Sequence, residues 1–543
     1  MRMINVRAIL TMLIASMVIF TSCSKQDSMH YDICIYSGTS AGVMAAYKAA
    51  KMGEKVLLVE PAKHLGGMTA SGLGMTDIGD KEAITGNTRK FYKRIAKHYG
   101  EEGKAKLKFE PHVSENIFNS MVEEAGFDTL LYHRVIKVNK EGAKITSIVL
   151  ENSESPASKP HQTIHAKVFI DCSYEGDLMA RAGVSYTIGR EDNSKYGETY
   201  NGFQFRKHCV HQLPDSISPY VVPGDSTSGL VYGITENGFF AKTGAGDKNI
   251  QAYNYRVCIT KVDSNKIPIT KPDNYDPAKY ELLARIGERR AWTTLAVPPW
   301  KGNFGILIID EMPNGKTDVN NYGGFSTDFI GENWDYPEAD YATREKITKA
   351  HEDYQKGLFY FIGHSPRIPK KIRDQMLEYG YCNDEFTDNA GWPFQLYVRE
   401  ARRMIGEYVM TEHNWSRDTV VDDGVAIASY GMDSHNTQRI IVNGMVKNEG
   451  DVQAWRGEDE IRAYPVSYRS ITPKREECTN LLVPVCLSAT HIAYGSIRME
   501  PVFMMLGEAA GAAASLAIDN EESVQEVDYE ELKELIDFKM ETE

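Results

Sequence analysis

Residues 31–67, YDICIYSGTSAGVMAAYKAAKMGEKVLLVEPAKHLGG, restrict the possible folds more than any other stretch of this chain. Ile33 to Tyr36 is a short apolar run that stops at Ser37-Gly38-Thr39-Ser40-Ala41-Gly42. The pattern then becomes helical, with Ala45, Ala46, Ala49 and Ala50 giving a surface thin enough to lie close against a sheet. Gly53 fits the position just past a helix end, and Val56 to Val59 reads as a buried strand ending in Glu60. This is a β-α-β unit. Its first turn presents backbone N–H groups and the positive end of a helix dipole, to which a pyrophosphate can bind. A carboxylate ending the second strand suits ribose hydroxyls, and Glu60 lies eighteen residues past Gly42, near the usual spacing. It argues against the additional phosphate of NADP. In G-x-G-x-x-G register Ser37 and Thr39 stand in the first two glycine slots and only Gly42 keeps its own, so Gly38 is expected to give the turn its freedom. An ordinary α/β crossover would share the helix but would not need Gly53 and Glu60 as well.

The chain has 543 residues, 42% hydrophobic and 25% charged, enough for two or three domains. Arg2 and Arg7 precede an apolar run, Ala8 to Phe20, that is short for a membrane span and leads to Thr21-Ser22-Cys23. This reads as an export signal with a lipoprotein-type cleavage box: residues 1–22 would be removed, Cys23 lipidated, and 23–29 left as a tether. Ordinary secretory cleavage nearby is the alternative. Either removes two positive charges and takes the formal charge from −14 to −16, which leaves no case for nucleic acid. Seven further cysteines include no C-x-x-C pair, so iron–sulfur and zinc-ribbon sites are not expected. Cys34 and Cys172 should be buried thiols; disulfides are permitted outside the cytoplasm, but the sequence assigns no pairing.

Beyond the glycine loop at Gly66 and Gly67, residues 87–126 read as helical, and Arg134 to Val138, Ile145 to Leu150 and Val168 to Ile170 as strands. From Gly189 loops rich in Gly, Pro, Asn and Tyr are interrupted by helices expected near 277–288, 339–356 and 393–411. Glu500-Pro501 begins another helix, with Gly507, Ala510, Gly511, Ala513, Ala514 and Ala517 as its small residues, and the tail from Val527 reads as an amphipathic acidic helix. The aromatic run from Tyr354 to Phe361 reads as core.

Taken in order, SGTSAGVMAA, VLLVE and GGM, then FIDCSYEGDLMARAG, GAGDKNIQAYNYRVCIT, DVNNYGGFSTDFIG, DNAGWPFQLYVREARRMIGEYVMT and SATHIAYGSIRMEPVFMMLGEAAGAAASLA resemble the FAD-dependent oxidoreductases often found as exported bacterial proteins. The resemblance covers nearly all of the mature chain. It implies an α/β protein with a discontinuous Rossmann-like FAD-binding domain (30–188 and 465–522), an inserted α+β substrate domain (189–464) and a C-terminal helix (523–543), related in plan to fumarate reductases and succinate dehydrogenases. By this likeness Gly38, Thr39, Ser40, Ala41 and Gly42 would cradle the FAD pyrophosphate, and Glu60 would hold the adenosine ribose. Gly66, Gly67, Met68 and Thr69 would line the ribityl and flavin side, with Cys172 and Ser173 also at the cofactor. Val135 would meet adenine through its backbone, and the helix from Glu500 would point its N-terminus at the flavin C2 carbonyl. Ser37 departs from the family glycine.

For the chemistry, His435 and His491 could exchange the proton that accompanies hydride transfer, or could be satisfied core histidines. Arg469 and Arg498 are candidates to bind an anionic substrate or the flavin. Arg399, Arg402 and Arg403 read instead as structural, with Arg403 pairing Glu400 and Glu407. His208-Cys209-Val210-His211 has metal spacing but lacks a third ligand, and no metal is expected. The expected function is FAD-dependent hydride transfer to or from a small organic molecule, a sugar, polyol, hydroxy acid or unsaturated acid, with an unknown electron partner. A lipid-anchored binding protein that keeps the fold without the chemistry is the alternative.

Overall fold

The computed structural model describes residues 28–101, 103–235, 241–290, 292–297, 305–454 and 463–539. The leader, Cys23 and most of the tether lie outside them. The main sheet has seven strands. Strand β1 (Ser28–Tyr36) lies between β2 (Val56–Glu60) and β6 (Gln162–Asp171), both parallel to it, with Ile33 opposite Val56 and Val168. Strand β3 (Asp128–Leu131) extends the parallel part beyond β2, while β4 (His133–Glu141) and β5 (Lys144–Asn152) form an antiparallel meander on β6, which also pairs Leu481–Leu482.

Between β1 and β2 runs helix α1 (Ser40–Lys51), followed by α2 (Gly67–Ala70), α3 (Gly86–His98), α4 (Pro111–Ala125) and α5 (Asp177–Arg181). Helix α6 (Tyr341–His364) belongs to the middle of the chain, and α7 (His491–Ile497), α8 (Glu500–Asp519) and α9 (Tyr529–Leu535) to its end. Helix α8 is long and apolar enough to cross a membrane, yet 94% of its most apolar window is buried inside the protein, so it is a core helix. It crosses α1 at two glycines: a Cβ on Gly507 would lie 2.2 Å from the Ala41 carbonyl oxygen, and one on Gly511 2.3 Å from that of Ala45. The small residues of both helices thus serve their own mutual contact.

The middle of the chain builds a second, five-stranded antiparallel sheet in the spatial order Ile308–Glu311, Lys316–Asn320, Val257–Thr260, Gly380–Cys382, Lys266–Pro268. Helix α6 carries the aromatic run, with Tyr354 stacked on Phe329 at 4.1 Å between ring centres. One apolar core runs without a break from β1 and α1 to α6.

The helix expected at 393–411 is absent; the segment is extended or irregular except for the two-residue strand Arg403–Met404. Its three arginines explain why. Arg399 donates to the Ala252 carbonyl and Asn254, Arg402 to Glu338 and Asp177, and Arg403 to Glu191, Glu400 and the Gly189 and Ala489 carbonyls. A helix would send residues 399, 402 and 403 out over one face; here each buried guanidinium reaches partners in a different part of the fold. The expected Glu407 partner is also replaced, since that carboxylate accepts from the Arg475 N–H.

Candidate active site

The turn after β1 is tighter than its sequence implies. Ser37, not Gly38, takes the left-handed backbone conformation, with φ at 75°. Gly38 is required for a different reason: a Cβ there would sit 2.4 Å from Leu65 Cδ2 and 3.3 Å from a Glu60 carboxylate oxygen. Glu60 closes the turn by accepting from the Gly38 N–H (2.6 Å), Ser37 Oγ (3.2 Å) and the Ala62 N–H (2.8 Å). Burial pushes its carboxyl up to about 7 despite these three donors. Thr39 caps α1, accepting from the Gly42 N–H and donating to the Cys172 carbonyl. The Val43 N–H bonds the Thr39 carbonyl, and no hydrogen bond among the described residues takes the N–H groups of Ser40 or Ala41. Two free donors at the start of a twelve-residue helix, above a ribose-competent carboxylate, fit the pyrophosphate and adenosine of a dinucleotide. Beside them opens a cleft of about 450 Å³ lined by Tyr36, Ser37, Arg134, Ser173, Glu175 and Tyr341.

Val135 does not offer its backbone freely. Its carbonyl accepts from Tyr341 Oη (2.7 Å) and its N–H donates to Tyr36 Oη (3.4 Å), so the first turn of α6 holds the edge expected to meet adenine. Cys172 supports the turn through its carbonyl, while Ser173 bonds Asp171 and lines the cleft.

Glu500 joins the two halves of the sheet domain. Its carboxylate accepts from Ser40 Oγ (2.6 Å), Thr69 Oγ1 (2.7 Å) and Tyr174 Oη (2.8 Å), while that same phenol oxygen accepts from the Met68 N–H (3.0 Å). Gly66 and Gly67 carry φ of 102° and 53°, and a Cβ on Gly67 would strike the Tyr174 hydroxyl at 2.4 Å. The N-termini of α1, α2 and α8 thus converge on one carboxylate. Burial raises the Glu500 carboxyl against the pull of all three hydroxyls.

Two residues earlier, Arg498 faces the other way, into a buried polar cluster. It donates to Tyr397 Oη (2.9 Å), the Asp433 carbonyl (3.1 Å) and Asp433 Oδ2 (3.4 Å). The same Asp433 oxygen is 3.8 Å from His435 Nε2, while His435 Nδ1 lies 2.8 Å from Asp328 Oδ2. Asp328 also pairs Arg399 at 3.0 Å. Burial and Arg399 hold His435 below the ordinary imidazole value, against Asp328 and Asp433. Burial works to raise Asp328, but Arg399 and His435 outweigh it and leave the carboxyl at about 2. An ionised Asp328 accepts the Nδ1 proton of a neutral ring, so Nε2 is left with its lone pair. Asp77 faces the cluster too; part of the residue reaches solvent, but its enclosed carboxyl is pushed up to about 6 by burial, opposed by Arg256 and aided by Asp433. Among the described residues Arg399 Nε, Arg498 Nε and Asp433 Oδ1 are buried without a hydrogen-bond partner, which leaves polar capacity in the cluster open to a ligand.

Of the four chemical candidates, the structure brings together His435 and Arg498. His491, at the start of α7, pairs Glu400 (2.7 Å) in the network that also holds Arg403. Arg469 is half exposed and binds Asp422 and Asp423; it shares no partner with Arg498. His211 pairs Asp451; of the possible metal ligands Glu110, His112 and Glu385, both glutamates lie 2.7 Å from the Lys316 ammonium and His112 Nδ1 lies 2.6 Å from Glu385. Sequence reasoning missed Tyr174, Asp328, Arg399 as a site residue, and Asp433. Tyr174, Asp328 and Arg399 stand in stretches that carry the family resemblance, and Asp433 lies two positions before His435 in MDSH.

The parallel sheet, its glycine turn and the returning small-residue helix define a dinucleotide-binding flavoprotein. The chain belongs to the FAD dependent oxidoreductase family, whose model matches residues 32–536. It is therefore an FAD-dependent oxidoreductase. No curated protein matches it. Solved structures with partial similarity include THI4 of Thermovibrio ammonificans, at 16% identity over 35% of this chain and 76% of that one, TM-score 0.24. Others are the 3-ketosteroid-delta4-(5alpha)-dehydrogenase of Rhodococcus jostii RHA1 (14%, 30% and 50%, 0.20) and the L-proline dehydrogenase of P. horikoshii (16%, 31% and 25%, 0.18).

Proposed function

We propose that this enzyme passes hydride between FAD and a small hydroxylated or unsaturated organic substrate held by the Arg498, Arg399 and His435 cluster. The observation that carries this reading is the placement of His435, its Nδ1 fixed by Asp328 and its Nε2 turned to Asp433 beside Arg498. FAD supplies the hydride acceptor or donor. On the protein's side, His435 Nε2 takes the proton of a substrate hydroxyl as the adjoining C–H bond gives its hydride to the flavin, or returns that proton to the carbonyl oxygen in the reverse sense. The Arg399 and Arg498 guanidinium groups hold an anionic or strongly polar substrate, and the surrounding apolar core keeps water out. Dehydrogenation is the favoured direction, because a histidine held neutral is a base.

His435, Asp328, Arg399 and Asp433 come from residues 189–464, and Arg498 from the returning segment. This supports an inserted substrate domain that closes over the flavin end, on the plan of fumarate reductases. The Arg2, Arg7, Ala8 to Phe20 and Cys23 pattern supports export and lipid anchoring to a bacterial envelope membrane, with an electron partner there.

The test uses the colour of the cofactor. A panel of polyols, sugars, hydroxy acids and unsaturated acids is offered to the purified yellow enzyme, and flavin bleaching or reoxidation is followed. His435→Asn should keep its FAD and still bleach with dithionite, but lose substrate bleaching by about 10²–10⁴-fold, the range for a general base. In the wild type the rate should fall as acid protonates the ring, below the ordinary imidazole value. Unchanged bleaching in the variant would remove His435 from the reaction.

A further inference from the structure

Cys258 and Cys382 stand on neighbouring antiparallel strands of the five-stranded sheet. Gly380 pairs Thr260 and Tyr381 pairs Ile259, so the next opposed residues are Cys382 and Cys258. Directly opposed residues of an antiparallel pair have Cα atoms about 4.5 or 5.5 Å apart. Both spacings fall within the roughly 4.4–6.8 Å a disulfide spans. The two side chains share one face, and their sulfurs are 3.2 Å apart. No other two cysteines among the described residues are in sulfur contact. Met312, Phe386 and Phe394 pack around them, and the nearest charges acting on Cys258 are those of the Lys316–Glu385 ion pair.

We propose that Cys258 and Cys382 are a disulfide site that closes when the chain folds under oxidising conditions. In the reaction the Cys258 thiolate attacks a disulfide of a thiol–disulfide oxidoreductase or of oxidised glutathione, and one thiol leaves. The Cys382 thiolate then displaces the second. One S–S bond forms in the protein, and the two electrons and two protons end on the reagent's thiols. Burial holds the Cys258 thiol well above its ordinary value, so the exchange belongs to folding, before the sheet is covered. The bond would tie together positions 124 residues apart. It would also brace the strand that follows Arg256, whose buried pair with Asp318 backs the loop at Gly72, where a Cβ would strike the Arg256 carbonyl at 1.8 Å.

The experiment prepares the full-length, FAD-loaded protein twice, folded in an oxidising compartment and refolded with oxidised glutathione, taking the yellow fraction as folded. Each sample is denatured without reductant, alkylated with iodoacetamide and digested. The expected result is a peptide linking Cys258 to Cys382 that disappears after reduction. The intact oxidised protein should melt at a higher temperature than the reduced one, and that difference should vanish in the Cys258→Ser, Cys382→Ser double variant. If both yellow preparations carry alkylated Cys258 and Cys382, or link either to another cysteine, the proposal is overturned.

Discussion

Glu60 closes the Ser37 turn through three donors, and the role expected for it at FAD would ask the same carboxylate to accept from a ribose as well. Because its folded value, about 7, exceeds the ordinary 4.5, the folded state holds the extra proton between those values. Its contribution is therefore complete at low pH and is lost as pH rises through 7. Glu60→Gln should flatten that part of the pH–stability curve of the apoprotein while weakening FAD binding, because an amide cannot accept from all three donors and a ribose. Thermal melts at pH 5 and pH 8, with an FAD titration of each apoprotein, check both. Equal FAD affinity in variant and wild type would take Glu60 out of the site. Ser37 is the related lesson. A serine at φ 75° costs roughly 1–2 kcal/mol of strain relative to glycine, and the Glu60 hydrogen bond offsets part of it.

Helix α8 is the element on which the cofactor domain depends, and its crossing with α1 leaves no room at Gly511. Gly511→Leu should force the helix away from α1 and withdraw Glu500 from Ser40 and Thr69. Overpacking of this kind costs about 1–3 kcal/mol, which a core of this size survives, so we expect a folded, colourless protein. Flavin content and the melt of both FAD-free proteins are the measurements; a fully yellow variant would contradict the packing. These elements were legible beforehand because a β-α-β unit and a small-residue helix follow local rules: β1, α1, β2, the β4 to β6 meander and α8 all appear where the pattern places them. The 393–411 segment was not, since its helical pattern is overridden by three arginines whose partners, Glu400 apart, lie from 64 to 227 residues away in sequence. The His435 cluster was half legible for the same reason. His435 and Arg498 stand out by residue type, while Asp328 and Arg399, though they lie in stretches that carry the resemblance, join them only through tertiary contact.

At the scale of the whole molecule, export as proposed would have the body acquire FAD in the compartment where it finally resides. Arg2 and Arg7 are not a twin-arginine pair, so the chain would cross by the general secretory route unfolded and bind FAD afterwards. Cys23→Ala should release the body in soluble form; a variant that stays in the membrane fraction with its lipid label unchanged would refute the anchor. Inside the body, Arg498 and Glu500 are separated by Met499 alone, one gripping the polar cluster and the other the cofactor loops. A substrate that draws Arg498 toward itself also tugs on the clasp that holds Ser40 and Thr69. Occupancy at either site then sets the grip at the other, and thermodynamics makes the two influences equal in size. An enzyme of this build would hold its flavin with an affinity that depends on whether substrate is bound, and Arg498→Ala should make that affinity indifferent to substrate.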